Sequence, residues 1–187
     1  VGADIDISAG STLGTTGGDV NVRAGKAPGA GGALSLISGD STAATSGTVV
    51  LASGASASSS GAVSIYSADA ATAGVSGSVT LSSGTTAAES SGNILIGSGV
   101  ATGGTGGDVL ITVGDGDSGV GGRVLVQAGY SRASSGKDGG DLELYAGRGN
   151  GGGGDVSITA GLADTETGGE VMITSGKGTA GSSGELY

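Results

Sequence analysis

Short phrases in which aliphatic and polar residues alternate run along the whole chain. In Gly154–Gly161, read GDVSITAG, Val156 and Ile158 alternate with Asp155, Ser157 and Thr159, and Ala160 precedes a closing glycine. A period of two places one apolar face on a short extended segment, the pattern of a half-buried β-strand. The first aliphatic position of successive phrases is held by Ile5, Val20, Leu34, Val49, Val63, Val79, Ile94, Val109, Val124, Leu142, Val156, Val171 and Leu186. The second is held by Ile7, Val22, Leu36, Leu51, Ile65, Leu81, Ile96, Ile111, Val126, Leu144, Ile158 and Ile173. A third inward position takes Ala or Ser from Ala9 to Ser175, with Val113 as the exception. Glycine stands two residues before each first aliphatic, from Gly18 to Gly184, and only Ala3 departs from this.

Branched aliphatics suit a pleated surface, and glycine at both phrase ends admits the positive φ of tight corners. Phrases this short bury nothing alone, so repetition predicts stacking. The predicted fold is all-β: a parallel β-solenoid (β-helix) with a repeat of about 15 residues, continuous over 1–187, its neighbouring coils joined by backbone ladders. Successive first positions are separated by 15, 14, 15, 14, 16, 15, 15, 15, 18, 14, 15 and 15 residues. The long spacings follow odd-numbered phrases and the short ones follow even-numbered phrases. Thr16, Thr45, Thr105 and Thr167 mark turns of one kind only. Two alternating turn types point to a coil of about 30 residues with two strands. In that coil Val20 lies beside Val49 and Leu34 beside Val63. The alternative is a 15-residue coil that pairs Val20 with Leu34. The chain starts at Val1 just before a phrase and ends at Tyr187 inside one. Neither end carries a cap, which reads as a segment of a longer array.

Composition then narrows the function. Of 187 residues 45 are glycine, and there is no Phe, Trp, Cys or His. Glycine at this level is typical of low-complexity disorder, and the strict aliphatic period argues against that. Seven scattered basic residues in a chain of net charge −10 offer no patch for nucleic acid. No apolar run reaches the roughly 18 residues of a membrane span. Without His or Cys, a nucleophile would have to be Ser or Thr activated by lysine or a carboxylate. Lys26, Lys137 and Lys177 lie in turns among many hydroxyls, and no motif selects one. The chain is therefore expected not to be an enzyme, with no catalytic residue and no bound cofactor.

Calcium is the one metal to weigh. Gly103–Leu110, GGTGGDVL, fits the nine-residue calcium-binding β-helix pattern, but its apolar position falls on outward Leu110 rather than on Val109 or Ile111. In the 30-residue coil Asp108, Asp141 and Glu170 become stacked neighbours. They either splay into water or share weakly held cations. These three are the calcium candidates. The single threonine file reads as a corner hydroxyl ladder rather than the flat two-file rank that ice contact requires.

The phrases GGDVNVRAG, GGDVLITVG, GGDLELYAG and GGDVSITAG resemble the glycine-, serine- and threonine-rich repeats of extracellular β-solenoid proteins. Such repeats occur in surface and fibrous proteins of microalgae such as diatoms and in bacterial adhesins. The resemblance implies an extracellular or cell-surface location, a structural or adhesive role, and sugars on Ser and Thr. No site residue carries over from it. The expected partners are neighbouring solenoid segments or copies of the chain, forming a filament, and glycans. The functional expectation is a non-catalytic structural segment of a fibrous protein. The alternative is a ligand-binding solenoid for ice, polysaccharide or calcium.

Overall fold

The computed structural model describes residues 2–70, 74–133 and 136–187; Val1, where the chain meets its first phrase, lies outside them. The described residues contain neither helix nor strand. The β-solenoid expectation is thereby overturned, and with it both coil lengths. Val20 shares a backbone hydrogen bond with neither Val49 nor Leu34. The physical reason lies in exposure. A ladder is required where backbone groups are shut away from water, and no described residue is fully buried. Water can satisfy these N–H and C=O groups, so nothing forces the phrases to pair. The chain exposes 18567 Å², against about 7,700 Å² for a compact globule of its mass and about 25,000 Å² for an extended chain.

Two compact units are distinguished, Val1–Ile94 and Leu95–Tyr187. Within each, extended phrases alternate with bends, for example at 13–15, 42–44 and 87–89 in the first and at 102–104, 117–120 and 164–166 in the second. The aliphatic alternation survives as a gradient rather than a core. Val109 is 54 % exposed, Leu110 83 % and Ile111 73 %, so the predicted inward pair is the better shielded, but incompletely. Shielding at the third position follows the odd–even distinction in part: Ala9, Ser38, Ser67, Ala128 and Ala160 of odd phrases are half-buried, Ser98 of the seventh phrase is exposed, and the corresponding residues of even phrases are exposed.

Order is concentrated at the joints between phrases. Seven backbone hydrogen bonds link the opening glycine of one phrase to the closing glycine of the phrase before it. Gly18, Gly32, Gly47, Gly140, Gly154, Gly169 and Gly184 donate their N–H to Gly10, Gly25, Gly39, Gly129, Gly147, Gly161 and Gly176, at 2.9–3.0 Å. Each bond cinches the intervening turn into a closed loop. Among the described residues these are the backbone–backbone hydrogen bonds of the chain. They replace the ladders predicted between coils.

The glycine code therefore has a different cause from the one anticipated. Among the described residues, positive φ is confined to Gly74, Gly119 and Gly136, and none of these opens or closes a phrase. Close approach favours glycine at Gly18, Gly32, Gly47, Gly122, Gly140 and Gly169, where a Cβ would come within 3.3 Å of a neighbour, whereas at Gly61, Gly77, Gly92, Gly107 and Gly184 the nearest atom would stand at 3.6–3.7 Å, ordinary packing. A Cβ built on any of the twelve opening glycines would meet the third inward residue of the previous phrase. Gly18 would meet the Ala9 Cβ at 3.3 Å, Gly47 the Ser38 Cβ at 3.2 Å and Gly169 the Ala160 Cβ at 3.5 Å. The third residue and the opening glycine thus face each other at every joint, and a Cβ would be tight against the third residue at Gly18, Gly47 and Gly122. The closing glycines have no such neighbour within 4 Å, and nothing in the structure explains why they are glycine.

Candidate functional site

The joint recurs at every phrase boundary, and it varies with the third residue. All five joints with alanine there (Ala9, Ala24, Ala128, Ala146, Ala160) carry the glycine–glycine hydrogen bond. Serine does so at Ser38 and Ser175, but not at Ser53, Ser67, Ser83 or Ser98. At the valine joint a Gly122 Cβ would stand 2.5 Å from Val113 Cγ1, and Gly122 makes no closing bond to Gly114. A branched side chain occupies the space through which the next phrase must pass.

Turn hydroxyls add a second repeated feature, at a position that the sequence reading passed over. Two residues after a closing glycine, Thr12 Oγ1 accepts the Gly14 N–H at 2.9 Å. Ser41 Oγ accepts from Ala44 at 2.9 Å and from Ala43 at 3.4 Å. Ser56 Oγ accepts from Ser58 at 3.1 Å, and Thr86 Oγ1 from Glu89 at 3.3 Å. These are local side-chain turns that give loop N–H groups a partner. All four lie in the first unit. In the second, the same place is held by glycine at Gly116, Gly149 and Gly178 and by Ala101, Ser131 and Ala163 at the other joints. Glycine is required there on steric grounds at two of them. A Cβ on Gly178 would press on the Ser182 and Gly181 carbonyl oxygens at 2.5 and 2.6 Å, and one on Gly149 on the Gly152 carbonyl. A fixed offset from the closing glycine was the available signal. Of the corner threonines Thr16, Thr45, Thr105 and Thr167, Thr16 makes a hydroxyl contact, its Oγ1 lying 3.5 Å from the neighbouring Thr15 Oγ1.

The calcium candidates Asp108, Asp141 and Glu170 are all exposed. Among the described residues no three acidic side chains are gathered into a group that could hold a metal ion, and no pocket is found. Two acidic residues do acquire partners. Tyr145 donates its phenolic O–H to Glu143 Oε1 at 3.1 Å, and Tyr187 donates to Glu185 Oε2. Both pairs belong to the tripeptide Glu-Leu-Tyr, where a residue spacing of two brings alternate side chains to the same side of an extended segment. Next to the Glu185 carboxylate the Tyr187 phenol ionises above its usual range, because the hydrogen bond favours the protonated form.

No helix among the described residues is long and apolar enough to cross a membrane. Comparison with protein-family models, with curated proteins and with solved structures gives no match.

Proposed function

We propose that this chain is a non-catalytic structural segment of extracellular or cell-surface fibrous material, acting through repetition rather than through one site. The observation that carries the reading is the joint: the opening glycine faces the third residue of the previous phrase at all twelve phrase boundaries, a small residue at eleven of them and Val113 at the other, over both units. A protein with one functional centre has no reason to repeat one local contact at every boundary. Material proteins do, since each repeat adds length and the same mechanical unit.

The exterior suits that role. Net charge −10 and abundant hydroxyls keep the chain hydrated. Thirteen phrases at similar spacing present half-shielded aliphatics that another copy, carrying the same spacing, can match in register. Apolar surface on this scale is costly in water, at about 25 cal/mol per Å². Copies of the same chain are thus the natural partners, and charge repulsion between them makes association favour high ionic strength. The test is light scattering and electron microscopy of the 187-residue chain across salt concentration. Assemblies that grow with salt are expected. A monodisperse monomer at every salt and protein concentration would refute the reading, and a ligand found by glycan array or by thermal hysteresis would replace it.

A further inference from the structure

We infer that Tyr145 and Tyr187 are sites of oxidative covalent cross-linking between chains, each activated by the glutamate two residues before it. This goes beyond the structural role proposed above and does not depend on it. The argument begins with what the chain lacks. It has no cysteine for disulfides, and neither tryptophan nor histidine to compete for a one-electron oxidant. The single methionine, Met172, takes up oxygen as a sulfoxide and forms no link. Four tyrosines, Tyr66, Tyr130, Tyr145 and Tyr187, are the aromatic residues of the whole sequence.

Access does not separate the four, whose exposures run from 80 % at Tyr66 to 112 % at Tyr187. Proton chemistry does. A phenol that loses an electron becomes a strong acid, and oxidation is easiest where a base can take the proton as the electron leaves. Glu143 Oε1 stands 3.1 Å from the Tyr145 hydroxyl, and Glu185 Oε2 accepts from Tyr187. The residues two before Tyr66 and Tyr130 are Ser64 and Ala128, which cannot act as bases at neutral pH. The same Glu-Leu-Tyr tripeptide makes the same hydrogen bond in two separate phrases, so the pairing is a property of the motif.

The step balances with hydrogen peroxide as oxidant, turned over by a haem peroxidase. Each of two phenols gives up one electron and one proton, and the peroxide leaves as two waters. The two phenoxyl radicals join through ring carbons ortho to oxygen. The hydrogens displaced from those carbons move to the oxygens and restore both phenols. Each glutamate carboxylate receives the phenolic proton along its hydrogen bond and passes it to water.

The test treats the full chain with hydrogen peroxide and a haem peroxidase, then maps dityrosine by mass spectrometry. The readout is the ratio of links at Tyr145 and Tyr187 to links at Tyr66 and Tyr130 in the same sample. A ratio of about ten is expected, well below the 10²-fold or more of an enclosed general base because solvent screens an exposed pair. In the Glu143→Gln/Glu185→Gln chain the amide still accepts the hydrogen bond but is no base, and the ratio should fall to near one. That change lowers net charge from −10 to −8, which by itself favours encounter between chains, so total yield must not be used in place of the ratio. A wild-type ratio near one, a ratio unchanged in the double variant, or no dityrosine at all would overturn the proposal.

Discussion

Replacing Gly169 by alanine puts a methyl group 3.2 Å from the Gly161 nitrogen and 3.5 Å from both the Gly161 oxygen and the Ala160 Cβ. The first distance is too short, so the two phrase ends must separate by a few tenths of an ångström. The Gly169 N–H to Gly161 carbonyl bond, now 2.9 Å, lengthens with them. A net hydrogen bond contributes about 0.5–1.5 kcal/mol, and an exposed one sits at the low end. Loss of about 0.5–1 kcal/mol corresponds to a two- to fivefold fall in the closed population of the joint. An opposing effect must be removed first, because glycine-to-alanine changes also stiffen the open chain and favour closure by about 0.4–1 kcal/mol. Gly161→Ala supplies the control. Its φ is not positive and its Cβ would meet nothing within 4 Å, so it carries the stiffening without the clash. Taking the difference between the two variants cancels the chain-entropy term and leaves the contact. The assay is NMR of the residue-169 amide, by its hydrogen-exchange protection and by scalar coupling across the hydrogen bond. Protection should rise or hold in Gly161→Ala and fall severalfold in Gly169→Ala. Equal protection in the two variants would refute close approach as the reason for the opening glycine.

Three further outcomes follow from the same geometry. Val113→Ala clears the path beside Gly122 and should create a closing bond from its N–H to Gly114, as at the five alanine joints; a Gly122 amide that stays as exchangeable as before would count against this. Ser41→Ala removes the acceptor of the Ala43 and Ala44 amides and should speed exchange at both, with a local cost of about 0.5–1 kcal/mol, while the Thr45 and Ser46 amides just beyond them keep their rates. Glu185→Gln should lower the pH at which Tyr187 ionises toward the ordinary tyrosine value, since the charge that opposes phenolate is gone; ultraviolet or NMR titration reads it, and an unchanged midpoint would show that the Glu185 contact is not made in solution.

Much of the local organisation was legible in the residues. The alternation in phrases such as Gly154–Gly161 names the side chains that lean to one side, and Val109 and Ile111 are indeed shielded better than Leu110 between them. The small third position and the opening glycine were visible as a rule; the two-strand coil drawn from the alternating spacings is not formed, and shielding follows that alternation only in part, at Ala9, Ser38 and Ala160 but not at Ser98. The cause of the glycine was not legible. Lack of a Cβ serves positive φ and close approach equally well, and only the placement of Gly18 against Ala9, or of Gly122 against Val113, tells the two apart. The Glu-Leu-Tyr pairs were likewise within reach, since a spacing of two aligns the side chains, but a hydrogen bond needs the rotamers as well as the register.

What the alternation could not decide was whether phrases meet. The lean of Val20 to one side is a property of its own segment, whereas a ladder is a property of two segments about 15 or 30 residues apart. A pattern that repeats at every boundary fits both pairings, and it fits no pairing at all. Closing such loops costs chain entropy that grows with their length, and 45 glycines raise that cost for every segment between phrases. The short loops from Gly10 to Gly18 and from Gly161 to Gly169 are closed, because seven intervening residues can be cinched by one hydrogen bond and one close contact. The longer pairings of Val20 with Leu34 or with Val49 are not made, since two half-exposed aliphatics per phrase gain too little by burial to hold them.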